Sequence, residues 1–583
     1  PSVSEHNGQM MQGNRALIAA LEDAGVDTIF GYPGGQAILI YDALYDSQKL
    51  HHILVRHEQG ATHAADGYAR ATGKTGTVIV TSGPGATNTV TGIATAYMDS
   101  IPMVVICGQV PLSALGSDAF QESDITGITL PIVKHSYLIR KAEDIPRIVA
   151  EAYHIASTGR PGPVVIDMPS NLLRETIEYH YPEELKLPSY KPTYKGNNKQ
   201  VKQAVRALLD ARQPVIYCGG GVLWSHACQD IMRLSDTLQI PAVVSLMGKG
   251  VFNEDKELCL GLPGMHGSKA ANMALYESDL IFAVGTRFAD RVTGALDKFA
   301  PNAAVVHIDI DPAEIGKNRN ADVPIVGDAK IVLSAINEEL DKLKPEPRTA
   351  AWVEKVLQWK KESPFYYEPR EDAILPEQAL DLLDVLTKDR DTIYTTEVGQ
   401  HQMWAAQYLT CTRSRTFLSS GGAGTMGFGL PAAMGAQAGN PESRVVCIAG
   451  DGSVQMNIQE LATMRENNLP VKLMILNNNC LGMVHQWQQL LYNQRYSNTI
   501  FSANPDFVKL AEAYGWEGAR ISKPSELEPA MRAWLESDQP SVLEIKVPAS
   551  ENVYPMIPAG KAVTDMIGVV TLDENGNKIE KGE

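Results

Sequence analysis

Short apolar runs that halt on a glycine or a polar turn, each followed by a stretch with helical spacing, recur along most of this chain. "TIFGYPGG", "GTVIVTSGPGATN", "PGPVVIDMP", "SDLIFAVGTRF" and "SRVVCIAGDGS" are examples. A strand covered on both faces reads as a continuous apolar run, and parallel neighbours need a crossover, usually a helix, between them. The alternation therefore predicts βαβ units and parallel sheets. Two connectors rich in Pro, Tyr and Lys, "YPEELKLPSYKPTYKGNNK" and "KPEPRTA…SPFYYEPRED", interrupt it and read as linkers. The expected fold class is α/β, with three doubly wound parallel-sheet domains over residues 8–178, 196–343 and 374–550. Residues 551–583, without clear periodicity, form a C-terminal arm and tail. A length of 583 residues suits this division.

Composition narrows the function classes. A net charge of −17 argues against nucleic acid as the main partner, because a phosphate backbone rewards basic patches. No run of about 18 apolar residues is present, so no membrane span is expected. The opening "PSVSEHNGQMMQ" has no basic region, no apolar region and no Arg enrichment, so no export or organelle signal is visible. The seven cysteines are scattered and never spaced C-x-x-C. That pattern fits buried thiols in a reducing compartment rather than a disulfide framework or zinc site. The expectation is a soluble cytoplasmic protein.

The stretch "GDGSVQMNIQELATMRENNLPVKLMILNNN", Gly450 to Asn479, carries the first chemistry. "SRVVCIAG" is a strand, Asp451 sits where it stops, and Gly452 lets the chain turn. "VQMNIQELATMREN" predicts a helix with Ser453 as its N-cap. "VKLMILN" is the next strand. Asp451 and Asn478 thus fall at the carboxyl ends of neighbouring strands, where open α/β sheets bind ligands. A carboxylate, an amide oxygen and a nearby carbonyl suit Mg²⁺ with positions left for phosphate oxygens. The helix N-terminus adds N–H donors for the same anion.

"GDGS…LNNN" resembles the diphosphate motif of the thiamine diphosphate enzymes. The resemblance implies Asp451, Asn478 and the backbone carbonyl of Cys480 as Mg²⁺ ligands, with Gly450, Gly452, Ser453 and Gly482 around the diphosphate. "ILVRHEQGATHAADGYAR" resembles the family segment that supplies the activating glutamate, here Glu58, to the aminopyrimidine ring. Such an acid calls for a mostly apolar site that raises its pKa. "GTMGFGLPAAMGAQ" lets the backbone approach a ligand at Gly424, and Met426 resembles the bulky residue that bends the cofactor. Gly34, Gly35, Pro84, Asn88, Val398, Gly399, Gln400 and His401 are further implied cofactor contacts. In the family the first domain of one subunit faces the last domain of another. A homodimer or homotetramer, with Glu58 and Asp451 meeting across the interface, is therefore implied.

From Gly8 to about Gly568 the chain resembles the catalytic subunits of the acetohydroxyacid (acetolactate) synthases. "GYPGGQAILIYDAL", "VPLSALGSDAFQESDITGITLPIVKHSY", "LPGMHGSKAAN", "VGTRFADRVTGAL", "TEVGQHQMWAAQ" and "LGMVHQWQQLLYNQRYS" carry the likeness. The three domains would be pyrimidine-binding, central FAD-binding and diphosphate-binding. "GGGVL", "GTRFADRV" and "HIDIDPAEIGKN" resemble the flavin-binding parts. They imply FAD contacts at Gly219, Gly220, Gly221, Met265, His266, Gly285, Arg287, Asp290, Asp309, Ile310 and Asp328, with Asp311 beside them. The flavin would be structural. "RFADRV" departs from the commoner pattern at Ala289, and "PGGQAI" does so at Gln36.

The reaction implied is decarboxylation of pyruvate and carboligation of the hydroxyethyl carbanion to a second 2-keto acid. It would give 2-acetolactate, or 2-aceto-2-hydroxybutyrate from 2-ketobutyrate, in branched-chain amino-acid biosynthesis. Arg291 would bind the acceptor carboxylate and Trp487 would favour the larger acceptor. Phe120, Gln121 and Met483 would line the catalytic site, and the C-terminal arm would cap it. A separate small regulatory subunit is an implied partner. Pyruvate oxidase and the FAD-free catabolic acetolactate synthase stay open as alternatives. A pyruvate decarboxylase is disfavoured because "AFQESD" stands where its His-His pair would be. Glyoxylate carboligase lacks the glutamate. Intact Glu58, Asp451 and Asn478 argue against a cofactor-free regulatory subunit.

Overall fold

The computed structural model describes residues 3–579. Its first sheet is parallel throughout, in the order His51–Leu54, Thr28–Tyr32, Gly76–Val80, Met103–Gln109, Pro163–Pro169, His135–Leu138. The last sheet repeats this order with Phe417–Leu418, Thr392–Thr396, Arg444–Gly450, Lys472–Asn477, Ser541–Lys546 and Glu517–Ile521. The central sheet has five parallel strands: Ala242–Val244, Pro214–Cys218, Leu280–Val284, Ala304–Asp309 and Val323–Val326. The expected three doubly wound sheets are all present. A small antiparallel pair, Met10–Gln12 with Thr176–Glu178, ties the two ends of the first domain together. No helix among the described residues is long and apolar enough to cross a membrane.

The first and last domains share one core. Helix Glu58–Thr72 starts at His57, whose ring accepts from the Gln59 amide at 3.1 Å, and ends at left-handed Gly73. Its small-residue face lies on helix Gly429–Gly439. A side-chain carbon on Gly435 would stand 1.8 Å from the Ala64 carbonyl oxygen, and one on Gly67 would stand 2.2 Å from that of Ala432. Backbone therefore meets backbone at this crossing. Val78, Val105 and Ile93 of the first domain join Leu430, Met434, Val445 and Leu461 of the last in a single buried cluster.

A buried ion cluster pins a second contact. Arg70 Nε donates to Asp66 Oδ1 at 2.5 Å and its Nη2 to Asp99 Oδ2 at 2.9 Å. Its Nη1 donates to the Ser419 carbonyl at 2.5 Å. Asp99 in turn accepts the amides of Gly421 and Gly422 at 3.1 and 2.8 Å. Burial pushes the Asp66 carboxyl up to about 6, against the pull of Arg70.

Three readings need correction. The edge strands His135–Leu138 and Glu517–Ile521 were absent from the strand assignments above; each is short and carries exposed or half-exposed residues, so neither reads as an apolar run. The second linker contains helix Ala350–Glu362, whose Trp352, Val356 and Trp359 sit on the central core. Trp352 Nε1 bonds the Pro214 carbonyl at 2.9 Å. The polar "KPEPR" before it masks this helical spacing. The predicted helix after Asp451 is a 3₁₀ turn, Ser453–Asn457, followed by a short helix, Glu460–Glu466. Asn457 is drawn inward to donate to the Gly427 carbonyl at 2.7 Å.

The glycine crossing is testable by size. Gly435→Ala should separate the two helices and cost about 1–3 kcal/mol through overpacking, read as a lower thermal transition. A transition unchanged from wild type would contradict backbone contact at this point.

Candidate active site

In each sheet the strand order reverses between the first and third strands of its domain, which opens a crevice at their carboxyl ends. In the last domain the flanking strands are Thr392–Thr396 and Arg444–Gly450. The loops leaving them bring Val398, Gly399, Gln400 and His401 to Gly450, Asp451, Gly452 and Ser453. Asn478, Cys480, Gly482 and Met483 follow the next strand, Lys472–Asn477. All of these line one pocket of about 90 Å³.

Asp451 is 1% exposed, and burial raises its carboxyl pKa. Its oxygens accept from neutral donors, Asn504 Nδ2 at 2.9 Å and the Asn478 amide at 3.3 Å. Asn478 Oδ1 accepts the Cys480 amide at 3.2 Å, and its Nδ2 donates to Gln400 Oε1 at 3.3 Å. Gln400 Nε2 donates to Gln486 Oε1 at 2.9 Å and to the Glu551 carbonyl at 3.2 Å. Gln486 holds both the amide and the carbonyl of Val553, at 2.8 and 3.1 Å. A chain of amides thus runs from Asn478 to the root of the C-terminal arm. The buried His401 Nε2 has no partner, and burial lowers this imidazole to about 4.

The residues fit a cation and a diphosphate. Asp451 is buried with neutral hydrogen-bond donors, Lys546 acting on it only from a distance, and the orphaned His401 Nε2 is a buried polar atom left for a ligand to satisfy. Among the described residues no three His, Cys, Asp or Glu side chains form a metal-holding group. A cation here would rely on one carboxylate with amide and carbonyl oxygens. Ser453 is not the expected helix cap; its hydroxyl accepts from the Gly450 amide at 3.2 Å. Asn504 was missed by the sequence reading, and its loop offers no motif that marks it.

A larger cavity of about 790 Å³ lies against all three domains and shares Val398, Gly399, Met426 and Met483 with the pocket. Its lining includes Gly424 and the expected Gly219, Gly220, Gly221, Met265, His266, Gly285, Arg287, Asp290, Arg291, Asp309, Ile310, Asp328 and Trp487. Its size falls in the ordinary range for ligand sites. Burial pushes the Asp309 carboxyl up to about 7. Asp328 also caps helix Ala329–Leu343 by accepting the Ile331 amide. Arg291 stands 5.8 Å over the Trp487 ring, and its carboxylate neighbour Asp290 is 3.9 Å away.

Asp311 departs from expectation. It is absent from the cavity lining and pairs with Arg160 at 3.0 Å, while Arg160 and Glu314 line the cavity with an ion pair of 2.7 Å. Met98, Asp99, Trp224 and Met247 also line it. These residues lie outside the strand-end loops that the motifs single out. The arm residues from 551 onward line neither space. Instead Ile557 bonds the Met265 carbonyl at 2.8 Å, and the Pro555 carbonyl meets His266 Nδ1 at 3.1 Å. The arm therefore buttresses the cavity wall within its own chain.

The remaining expected residues form a separate group on the first domain. Glu58 opens its helix, half-buried, with Oε1 accepting from Asn88 Nδ2 at 3.2 Å. Gly85 stands beside its other oxygen, and Gly34 packs on Thr81. Phe120 is 86% exposed, and the left-handed Gln121 lays its backbone against Gly83. Gly34, Gly35, Glu58, Pro84, Asn88, Phe120 and Gln121 line neither cavity of their own chain.

Three family models match the chain. They are the thiamine pyrophosphate enzyme N-terminal TPP binding domain over residues 11–128, the central domain over 201–336 and the C-terminal TPP binding domain over 397–545. The acetolactate synthase large subunit of Parasynechococcus marenigrum is 51% identical over 96% of this chain and 91% of its own length. The acetolactate synthase isozyme 3 large subunit of Escherichia coli is 47% identical over 96% of this chain and 98% of its own. The chain belongs to the acetolactate synthase large subunit family. Its activity is accordingly thiamine diphosphate-dependent acetolactate synthesis. A probable member from Methanocaldococcus jannaschii, 48% identical over 97% of this chain and 96% of its own, spans the same length.

The amide chain makes one position sensitive. A side-chain carbon on Gly482 would stand 2.1 Å from Gln400 Oε1 and 2.8 Å from Asn478 Nδ2. Gly482→Ala should displace the Gln400 amide and raise the half-saturating thiamine diphosphate concentration about tenfold, the scale of one or two lost hydrogen bonds. A cofactor titration that overlays wild type would show that Gln400 is not needed in this position.

Proposed function

We propose that the chain condenses pyruvate with a second pyruvate or with 2-ketobutyrate, giving 2-acetolactate or 2-aceto-2-hydroxybutyrate. Thiamine diphosphate is held through Mg²⁺ in the smaller pocket, and FAD occupies the three-domain cavity as a structural cofactor. The observation that carries this reading is the adjacency of two spaces. A pocket with the buried carboxylate of Asp451 shares lining residues with a cavity that presents the Arg291 cation over the Trp487 ring. When bound, thiamine diphosphate supplies the electron sink that lets a 2-keto acid lose CO₂.

The chain's own residues have the following tasks. Asp451, the Asn478 amide oxygen and the Cys480 carbonyl are oxygen donors suited to Mg²⁺. Gln400 and His401 line the position of the diphosphate. Met426 shapes the wall between the two spaces. Arg291 offers the acceptor carboxylate a charge-assisted hydrogen bond, and the Trp487 ring limits the acceptor's far end. The strand-end glycines Gly219, Gly220, Gly221 and Gly285 suit a pyrophosphate, with Asp309 and Asp328 for polar groups of the nucleotide.

Glu58 needs a second copy of the chain. Its half-exposed position, on a domain that also exposes the apolar Phe120, supports a homodimer, or a tetramer of dimers, in which the first domain of one copy covers the pocket of the other. The partner would then supply the desolvation that an activating acid requires. The relatives' designation as large subunits supports a separate small subunit as regulatory partner. Seven free cysteines, six of them buried, support a reducing, cytoplasmic setting.

The experiment is acetolactate formation from pyruvate with thiamine diphosphate, Mg²⁺ and FAD withheld one at a time, then with 2-ketobutyrate competing. Purified protein should be yellow and should consume no oxygen; oxygen uptake on pyruvate would favour an oxidase. Asp451→Ala should raise the half-saturating Mg²⁺ and thiamine diphosphate concentrations together. Glu58→Gln should retain the cofactor yet lower kcat by about 10²–10⁴-fold, the scale of lost acid–base catalysis. Full activity in that variant would remove Glu58 from the mechanism.

A further inference from the structure

Glu397 is an acid that none of the steps above employs. It directly precedes Val398 and Gly399, which line both spaces, yet its own side chain lines neither and is 0% exposed. Its Oε2 accepts the Gly427 amide at 2.6 Å and its Oε1 the Leu430 amide at 2.9 Å. The Leu430 amide lies in the first turn of the 11-residue helix Gly429–Gly439 and the Gly427 amide just before its N-cap residue, Phe428, which makes no side-chain capping bond. A helix leaves its first N–H groups unpaired and carries partial positive charge there, so an anion at that end is favoured. Here the anion comes from the end of strand Thr392–Thr396. A side-chain carbon on Gly429 would stand 2.4 Å from the Glu397 amide nitrogen, and Thr395 Oγ1 donates to the Gly429 carbonyl at 2.8 Å. Strand end and helix start are thus joined by backbone contact as well as by the carboxylate.

The turn between them carries Met426, which lines both the pocket and the cavity. Glu397 grips the residue immediately after it. The titratable group facing this carboxyl from the neighbouring strand is the neutral Cys447 thiol; the His401 ring bonds the Glu397 backbone, and Asn457 holds the Gly427 carbonyl. Arg70 and His63 stand on the Phe428 ring, at 4.7 and 5.6 Å. Burial pushes the Glu397 carboxyl up to about 7, while the amides of Leu430, Gly427, Gly429 and Phe428 pull the other way.

We propose that Glu397 is a positioning residue for the thiamine cofactor: its buried carboxylate, bonded to the amides of Gly427 and Leu430, holds the Gly424–Phe428 turn in the shape that receives the cofactor. Ionised, both oxygens accept. Protonated, one oxygen becomes a donor facing an N–H, and one amide loses its partner. The ionised fraction rises with pH through about 7, so cofactor affinity rises over the same interval. The proposal rests on this turn being part of the thiamine diphosphate site.

The test compares half-saturating thiamine diphosphate in wild type and Glu397→Gln between about pH 6 and pH 8, a span in which a group of this pKa changes charge. The cofactor's own phosphate titrates nearby, so the difference between the two proteins is what counts. Wild type should gain about tenfold more affinity across the interval than the variant, the scale of one pKa unit. Near pH 8 the variant should bind about as weakly as wild type does near pH 6, with kcat at saturating cofactor nearly retained. Equal pH dependence in the two proteins would overturn the proposal. If the variant does not fold, hydrogen exchange at Gly427 and Leu430 in cofactor-free wild type decides, after correction for intrinsic rates. Protection should rise with pH over that interval, and constant protection would overturn the proposal. No cofactor binding at any pH would instead refute the site assignment itself.

Discussion

The crossing of helices Glu58–Thr72 and Gly429–Gly439 governs the rest of the architecture. Each helix brings a glycine to the contact, and each glycine meets a carbonyl of the other helix. No side chain stands between the two backbones there, so the relative setting of the first and last domains has little freedom. The same two helices begin at functional positions. One starts on Glu58, and the other starts just after the turn that carries Met426. The contact that joins the two domains therefore also sets where their ligand-facing ends point.

That arrangement leaves each chain with two unequal halves of the proposed site. The pocket around Asp451 and the cavity around Arg291 share lining residues within one chain. The group around Glu58 lines neither of these spaces, and Phe120 on the same domain is almost fully exposed. Neither half has all the residues that the proposed chemistry requires.

The fold was largely legible because buried parallel strands leave a strong sequence trace. Apolar runs such as "VVCIA" and "LIFAV" marked central strands, and glycines and acids marked the ends where ligands bind. Edge strands such as His135–Leu138 left no such trace, since half of each faces water. The helix at Ala350–Glu362 was hidden by its polar flank. In the site, Asp451, Asn478 and Arg291 were recognisable because their segments are compact motifs. Asn504 and Arg160 were not, because they come from loops distant in sequence, and Glu314 was passed over although it lies in a quoted segment. Asp311 misled for the opposite reason: it lies in a recognisable segment but is committed to Arg160.

The amide chain from Asn478 to Val553 has a direction. If Asn478 turns its oxygen to a cation, its nitrogen must face Gln400. Gln400 then offers its oxygen to Asn478 and its nitrogen to Gln486, and Gln486 keeps a nitrogen for the Val553 carbonyl. Every amide is orientated by the one before it, without any charge moving. The polarity of this neutral hydrogen-bonded wire is anchored at its far end by the Val553 amide and carbonyl, at the start of the C-terminal arm.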